Sequence, residues 1–267
     1  MTLRSDRAET NRRKDALSGY YASCIMRDGA FTCAQYSRCR ASHPGPFAEG
    51  QVHYVGDDYD LRVGTRPFRV AVIGQEYGHG GALVGVEARR EMLHRSAFSS
   101  GGFNGRNPHM RGTTTALRIL FGSGPGADEA GEWLHPAEGE PIHLFNAFAL
   151  VNFLLCSATD GTTRGRSTRT MRSNCSQHFR AVMEILEPNV IICQGKGFFG
   201  AVAKTLGVGR AVDQVFEFEI GGAGGLGVCL NHPSTPRWIH GWGRLEQPYL
   251  REVVEPALSE IRSRLVG

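Results

Sequence analysis

The sequence predicts an α/β protein with three layers, α/β/α, built around a central, mostly parallel sheet of four or five strands. Apolar runs rich in Val, Ile, Leu and Phe recur along the chain without internal alternation, which is typical of strands buried on both faces. Helical patterns separate most of these runs, as crossovers between parallel strands require. The repeated order of strand and helix therefore indicates the fold class.

The elements follow in order along the chain. The predicted strands are 68–74 (FRVAVIG), about 143–155, 189–195, 215–220 and 226–231. The predicted helices are a pattern through Leu83, Val86 and Met92, then Thr113–Phe121, about 173–186, 198–206 and about 247–265. Residues 96–112 are rich in Gly, Asn and Ser and are predicted to form a loop. The helix after them is expected to end at Gly122.

Length and composition bound the domain organisation. The chain has 267 residues, of which 41% are hydrophobic, enough for one large α/β domain. Residues 1–14 are polar and basic and are predicted to be a mobile arm, with residues 15–267 forming the single domain. No apolar run approaches the roughly 20 residues that span a bilayer, and the N-terminus lacks an apolar signal core. We therefore expect a cytoplasmic protein without a membrane partner, and a monomer, since nothing calls for a dimer.

Arginine is concentrated in two places. Arg4, Arg7, Arg12, Arg13 and Lys14 lie in the N-terminal segment, and Arg164, Arg166, Arg169 and Arg172 lie in one central stretch, although the net charge is only +4. Such stretches neutralise phosphates and release bound counterions. The central stretch is predicted to be a basic loop that follows a phosphate backbone, whereas an ordinary solvated surface is an equal alternative for the N-terminal segment.

The seven cysteines fall into two groups. Cys193 and Cys229 lie inside apolar strand-like runs and are expected to be ordinary buried residues. Cys24, Cys33, Cys39, Cys156 and Cys175 lie in polar, loop-like surroundings. Because disulfides are uncommon in the cytosol, metal binding or burial explains these residues better.

Three polar motifs follow predicted strands. GQEYG (74–78) follows the first strand, Asn152 lies late in the second, and HPSTPR (232–237) follows the last. Each motif alone has a structural explanation, such as a helix cap or a turn. Because ligands in open α/β folds bind beyond the carboxyl ends of the strands, the three motifs together predict one site at that edge.

Taken in order, the motifs resemble those of the uracil-DNA glycosylase superfamily. Its first motif takes forms such as GQDPY or GEAPG, its second is a strand that ends in Asn, and its third begins with HPS. CSQHFRAVMEILEPNVIICQG (175–195) is similar to the helix-then-strand segment of the iron–sulfur branch, families 4 and 5. The resemblance covers about residues 20–245 and implies a DNA glycosylase that cuts uracil or a modified pyrimidine from its sugar.

The same resemblance implies a [4Fe–4S] cluster on four thiolates. The iron–sulfur branch places one ligand four residues after the strand Asn, which corresponds to Cys156, and the next about 17 residues later, which corresponds to Cys175. Two more come from the N-terminal segment, where we expect Cys33 and Cys39, with Cys24 as the alternative ligand. Zinc on four cysteines is the other chemistry that this ligand set allows.

Roles for the site residues also follow from the resemblance. Glu76 corresponds to the catalytic Asp of the first motif, which positions water and stabilises positive charge on the sugar. Asn152 corresponds to the base-reading Asn, and His232 to the His that donates a hydrogen bond to the base oxygen as negative charge builds there. Gln75, Tyr77 and Gly78 are expected to line the base pocket.

Since the target base must leave the duplex, DNA should be contacted by a wedge after the third motif. Arg237, Trp238 and Ile239 occupy the corresponding positions, and a bulky side chain there would fill the vacated stack. The basic residues Arg164, Arg166, Arg169 and Arg172 are expected to bind phosphates.

Three departures from the family pattern concern the substrate. His109 stands where an aromatic residue is expected to stack on the base, Tyr77 stands where Pro is usual, and the 79–107 segment is about twenty residues longer than usual. Loops grafted on a fixed scaffold commonly change specificity. The substrates left open are uracil, a modified pyrimidine such as the hypermodified cytosine of some phage genomes, and other damaged bases. Excision of the phage base would make the protein a defence enzyme.

Alternatives of other classes remain. The central basic stretch contains no His, which argues against the covalent trapping found in another branch. A DNA-binding protein without catalytic activity on the same scaffold is the main alternative. A nucleotide-binding enzyme using GGAGGLG (221–227) is less favoured, because that run precedes a strand and does not open a helix.

Overall fold

The computed structural model describes residues 2–49, 52–77, 86–161, 165–209, 214–236 and 241–266, which contain both helices and strands. The helices of this part of the chain are α1 (Arg7–Cys24), α2 (Tyr36–Ala41), α3 (Val86–Ala97), α4 (Gly102–Gly105), α5 (Pro108–Phe121), α6 (Arg169–Leu186), α7 (Lys196–Leu206) and α8 (Glu255–Val266). A π-helical turn, Leu250–Val254, leads into α8, and short 3-10 turns lie at Ala130–Glu132 and Leu144–Asn146.

The strands are mostly short. They are β1 (Leu3–Ser5), β2 (Met26–Arg27), β3 (Ala30–Phe31), β4 (Phe47–Ala48), β5 (Tyr54–Val55), β6 (Leu61–Val63), β7 (Arg66–Pro67), β8 (Val70–Gly74), β9 (Trp133–Leu134), β10 (Ile142–His143), β11 (Phe148–Asn152), β12 (Ser157–Ala158), β13 (Val190–Gln194), β14 (Val215–Ile220) and β15 (Ala223–Leu230).

Six of these strands form the central sheet, in the order β14-β15-β13-β8-β11-β5. The four inner strands β15, β13, β8 and β11 are parallel. The edge strands β14 and β5 are antiparallel to their neighbours. The α/β class is thus confirmed, but the sheet is mixed and has six strands where four or five were expected. The additional strand, β5, has two residues, too few to produce a recognisable pattern.

Two apolar cores lie on opposite faces of the sheet, because successive side chains of a strand point to opposite faces. Val70 and Val72 of β8 belong to one core, with Leu117 of α5 and Leu258 of α8. Ala71 and Ile73 belong to the other, with Leu17 of α1, Phe179 of α6 and Val202 of α7. This arrangement has helices on both faces, as the three-layer prediction requires.

The N-terminal segment differs from the predicted mobile arm. Residues 3–14 form β1, which pairs with β6, and the beginning of α1. The guanidinium of Arg13 is buried and donates to Asp60 Oδ1 at 3.0 Å, Glu187 Oε2 at 2.9 Å and the Ile185 carbonyl at 2.6 Å. Arg7 likewise binds Asp58. Several of the basic side chains therefore bind carboxylates of the same chain, and the buried Arg13 in particular is not part of the solvated surface that was the alternative for this segment.

Two predicted boundaries also move. The prediction of loop for 96–112 is wrong over much of its length, because α4 lies within it and α5 begins at Pro108. Asn107 caps α5 by accepting a hydrogen bond from the Met110 backbone N–H at 2.9 Å, and proline fits a first helical turn. Similarly, Thr168 caps α6 by accepting from Met171 at 3.1 Å, so that helix begins four residues earlier than expected.

We find no helix in the described ranges with the length and apolar character needed to cross a membrane.

Candidate active site

The carboxyl ends of the parallel strands bring the three motifs to one edge of the sheet. β8 ends at Gly74, just before Gln75 and Glu76, and its neighbour β11 ends at Asn152, which is paired in register with Gly74. The third motif follows β15, which is separated from β8 in the sheet by β13 alone. The predicted convergence of the motifs therefore follows directly from the strand order.

Glu76 is held at this edge by two hydrogen bonds. Its Oε2 accepts from the Ala158 backbone N–H at 2.7 Å, and its Oε1 accepts from Gln75 Nε2 at 2.6 Å. Burial raises the pKa of Glu76 above that of an ordinary glutamate, and the two donors act in the opposite direction because they stabilise the carboxylate. Each oxygen keeps a further lone pair for a water or a ligand.

A hairpin covers this carboxylate. Thr159 pairs with Gly165, and the Arg166 N–H donates to the Ala158 carbonyl at 2.6 Å. A Cβ atom at Gly165 would lie 2.1 Å from Glu76 Oε1, so only glycine allows this close approach. The hairpin therefore both orients Glu76, through Ala158, and packs over it, through Gly165.

Asn152 presents an unused donor. The residue is 5% exposed, and its Nδ2 is buried without a hydrogen-bond partner within the described residues. Its backbone carbonyl accepts from His53 Nε2 at 2.9 Å, and Tyr21 in turn bonds His53 Nδ1. Buried amide groups normally make hydrogen bonds within the protein, so the Nδ2 donor of Asn152 is available to a ligand.

The side chains of Asn152 and His109 meet over Gly74. A Cβ atom at Gly74 would lie 3.2 Å from Asn152 Oδ1 and 3.9 Å from His109 Cε1. The small residue at the end of β8 therefore leaves room for both groups. His109 lies in the first turn of α5, which the sequence placed in a loop.

His109 and His232 form a stacked pair, with ring centroids 5.4 Å apart and planes inclined by 14°. Burial lowers the pKa of His109 to about 3 and that of His232 to about 4. The Ser234 backbone N–H donates to His232 Nδ1 at 3.2 Å, and Ser234 Oγ lies 2.7 Å from it. Because Nδ1 accepts, the proton of the neutral ring lies on Nε2. His109 Nδ1 is buried without a partner in the described part of the chain.

Tyr77 lies beside a buried arginine that we did not predict. The guanidinium carbon of Arg89 is 4.7 Å from the Tyr77 ring centroid, and Arg89 is 5% exposed. Burial is the main cause of the lowered pKa of His109 and His53, and the charge of Arg89 acts in the same direction on both. The sequence did hold a signal: Arg89 continues the three-residue spacing of Leu83, Val86 and Met92, so a charge lies on an apolar helix face.

Three of the four expected cluster cysteines lie close together near the first turns of α6. Asn174 Nδ2 donates to Cys39 Sγ at 3.3 Å, and Cys33 Sγ lies 3.6 Å from His178 Nε2. Cys175 shares electrostatic interactions with both Cys33 and Cys39. Cys156 is buried in the same core as Cys39 and Cys175, whereas Cys24 is exposed at the end of α1. Among described residues, no three His, Cys, Asp or Glu side chains are placed closely enough to hold a metal ion.

The predicted DNA-binding residues have varied surroundings. Arg169 lines an open cavity of about 680 Å³ between α2 and α6, together with Arg38 and Asn174. Arg172 donates to the Ser167 carbonyl at 3.0 Å, and Arg166, which is exposed, binds Asp160. The remaining predicted residues, namely Gly78, Arg164, Arg237, Trp238 and Ile239, lie outside the described residues, as do parts of the 79–107 segment.

Comparison of the chain with protein-family models gives no match. Comparison with curated proteins gives no match either.

Proposed function

We propose that the protein is a DNA glycosylase of the uracil-DNA glycosylase type, which hydrolyses the bond between uracil or a modified pyrimidine and its deoxyribose. The observation that carries this proposal is the joint placement of Glu76, Asn152 and His232 at the carboxyl edge of the parallel strands. The unused Nδ2 of Asn152 supports it, because an amide is the group that reads the edge of a pyrimidine.

The reaction breaks the C1′–N1 bond and joins a water oxygen to C1′. Positive charge develops on the sugar and negative charge on the departing base. The Glu76 carboxylate would orient the water, accept its proton and stabilise the cationic sugar. A carboxylate already fixed by Ala158 and Gln75 needs little reorganisation for this task.

The base would be held on its other side. The Asn152 amide would pair with the N3 and O4 edge of the pyrimidine, and its backbone is fixed by His53. His232 would donate from Nε2 to the base O2, because Ser234 occupies Nδ1. The lowered pKa of His232, about 4, means that a neutral imidazole makes this hydrogen bond at pH 7. The stacked His109 would provide a flat surface for the base.

We further propose that Cys33, Cys39, Cys156 and Cys175 hold a [4Fe–4S] cluster. Cys24 is the alternative N-terminal ligand, and zinc is the alternative metal. The donor set fits in its chemistry, since it offers four thiols from two neighbouring helices and the segments beside them. The side chains are farther apart in this structure than metal ligands are, so binding would draw them together. A bound cluster would supply a cross-link that fixes the N-terminal segment against α6. The cavity lined by Arg38 and Arg169 borders this region and suits a DNA phosphate.

The first experiment is a base-release assay on uracil-containing duplexes and on phage DNA that carries modified cytosines, followed by alkaline cleavage of abasic sites. We expect release by the wild type, and a loss of about 100- to 1000-fold in Glu76→Gln with DNA binding retained. Glu91→Gln, an exposed change on α3, is the matched control and should behave as wild type. Release from uracil DNA alone would indicate base-excision repair, and release from phage DNA alone would indicate defence.

One observation favours a second candidate, a DNA-binding protein without catalytic activity. Both oxygens of Glu76 already accept hydrogen bonds, and Gly165 packs against one of them, so the carboxylate has a structural explanation. Tight DNA binding with no base release, unchanged in Glu76→Gln, would establish this candidate and refute the glycosylase.

A further inference from the structure

Arg89 is a buried cation that no carboxylate pairs with among the residues that the structure describes. The residue is 5% exposed, and its Nε has no hydrogen-bond partner among the described residues. Burying a charged group without a partner is strongly unfavourable, and buried arginines are normally paired with carboxylates. By contrast, each of the other buried arginines of the described residues binds a carboxylate; these are Arg13, Arg69, Arg106 and Arg118.

The segment directly before α3 carries no acidic residue, since residues 78–85 contain neither Asp nor Glu. The Tyr77 ring is the neighbour that faces the guanidinium, and a ring face attracts a cation only weakly compared with a carboxylate.

The cation belongs to the candidate base pocket. Tyr77 is part of the first motif, and the charge of Arg89 acts on His109 and on His53, the residue that holds Asn152. Asn152 Nδ2 and His109 Nδ1 are likewise buried without partners in the described chain. The Asn152 amide and the Arg89 guanidinium supply donors and a positive charge beyond the hydrogen bond assigned to His232, which is more than the two carbonyls of plain uracil require.

We propose that Arg89 binds an anionic oxygen group carried on the ring of the target base, such as a carboxylate, and so makes the pocket prefer an acidic pyrimidine to uracil. This inference rests on the proposed function for its substrate class. A backbone phosphate has the same chemistry, but a residue that is 5% exposed lies too deep for the DNA backbone. Arginine matches a carboxylate with two parallel hydrogen bonds.

The direct test is calorimetric binding of two free bases, 5-carboxyuracil and uracil. We expect the wild type to bind 5-carboxyuracil at least about tenfold more tightly, and Arg89→Met to weaken that binding about 10- to 100-fold while changing uracil binding less than about threefold. Arg89→Lys keeps the charge and should retain part of the preference. Arg90→Met removes an exposed charge from the same helix turn, where Arg90 pairs with Asp57, and should change neither affinity.

Several results would overturn the inference. These are equal affinity of the wild type for the two bases, binding of neither, or an equal loss for both in Arg89→Met. Circular dichroism shows whether Arg89→Met folds. If it does not, the relative affinity of the wild type and of Arg89→Lys for the two bases still tests the inference. Weaker binding of Arg89→Met to a duplex with a base-free site would assign Arg89 to a phosphate and refute the base assignment.

A parallel release assay separates this inference from the glycosylase proposal. Duplexes carry uracil, 5-carboxyuracil or a glucosylated hydroxymethylcytosine. Arg89-dependent binding of 5-carboxyuracil without any base release would refute the glycosylase and support the acidic pocket. Release of uracil at the same rate as 5-carboxyuracil, in both wild type and Arg89→Met, would support the glycosylase and refute the acidic pocket.

Discussion

Glu76 and Asn152 are each held by a hydrogen bond from a residue distant in sequence, and His232 is held by Ser234 of its own motif. Ala158 donates to Glu76, His53 donates to the Asn152 carbonyl, and Ser234 fixes the proton position of His232. Contacts of this kind keep functional groups in one orientation, which is what preorganised electrostatic catalysis requires. Glu76 and Asn152 therefore depend on positioning residues that no motif contains, namely Ala158 and His53.

Gly165 provides the sharpest test at the residue scale. Alanine there would place Cβ 2.1 Å from Glu76 Oε1 and 2.9 Å from Gln75 Nε2, so the hairpin must move away and weaken the bond from Ala158. We expect base release by Gly165→Ala to fall about 10- to 100-fold, with a loss of about 1–3 kcal/mol in the free energy of unfolding. Single-turnover rates and urea unfolding measure the two effects.

Gly200→Ala is the matched control, because no heavy atom lies within 4 Å of the position of its Cβ and alanine favours the interior of α7. It should leave the rate unchanged. A Gly165→Ala variant with the wild-type rate but lowered stability would mean that the hairpin supports the fold and not the reaction.

Residues were predictable where they follow strands, and not where they depend on tertiary contacts. The pairing of Asn152 with Gly74 follows from two adjacent parallel strands, which apolar runs reveal. The roles of Gly165 and His53 come from contacts across about 90 residues of sequence, and no local pattern encodes such contacts. Arg89 was detectable only as a charge on an apolar helix face.

At the scale of elements, the errors concern local capping and short strands. The helix start at Pro108 depends on one side-chain cap from Asn107, and glycine-rich composition concealed it. The N-terminal segment was predicted to be mobile because its composition is polar and basic. In the fold, Arg7 binds Asp58 and Arg13 binds Asp60, two carboxylates distant in the sequence. Five strands were long enough to predict, but the two-residue β5 was not.

The proposed cluster is an element-scale device, because its ligands come from α2, α6 and the segments beside them. Protein purified without oxygen should contain about four iron and four sulfide per chain. Cys39→Ser and Cys175→Ser should lose most of this iron and unfold at lower urea concentration, since metal binding contributes to folding. Iron and sulfide assays with visible absorption spectra measure the effect.

Cys229→Ser is the control, because Cys229 lies in β15 next to Cys193 and belongs to the other group of cysteines. It should keep its iron. Comparison of Cys24→Ser with Cys33→Ser decides between the two N-terminal ligands. One zinc per chain without iron would establish the alternative metal, and protein without bound metal would refute the site.

At the scale of the whole molecule, neutral histidines join the sheet, both cores and the site. His53 is 3% exposed and links α1, through Tyr21, to the end of β11. Burial lowers the pKa of His53 and His232 to about 4 and that of His109 to about 3. The fold and the proposed site therefore need the same protonation state.

This coupling predicts how stability depends on pH. Between pH 4 and about 6.5 the unfolded chain binds protons at these histidines and the folded chain does not, so stability falls as the pH falls. For the fully buried His53 the loss between pH 7 and pH 5 is about 2 kcal/mol. Urea unfolding at pH 7, 6 and 5 measures it. His53→Gln should be less stable at pH 7 but lose less on acidification, whereas His135→Gln, at an exposed position, should keep the wild-type slope. A wild-type slope in His53→Gln would mean that the pKa of His53 is the same in the folded and unfolded chains, which would contradict the neutral His53 expected in the folded protein between pH 4 and 6.5.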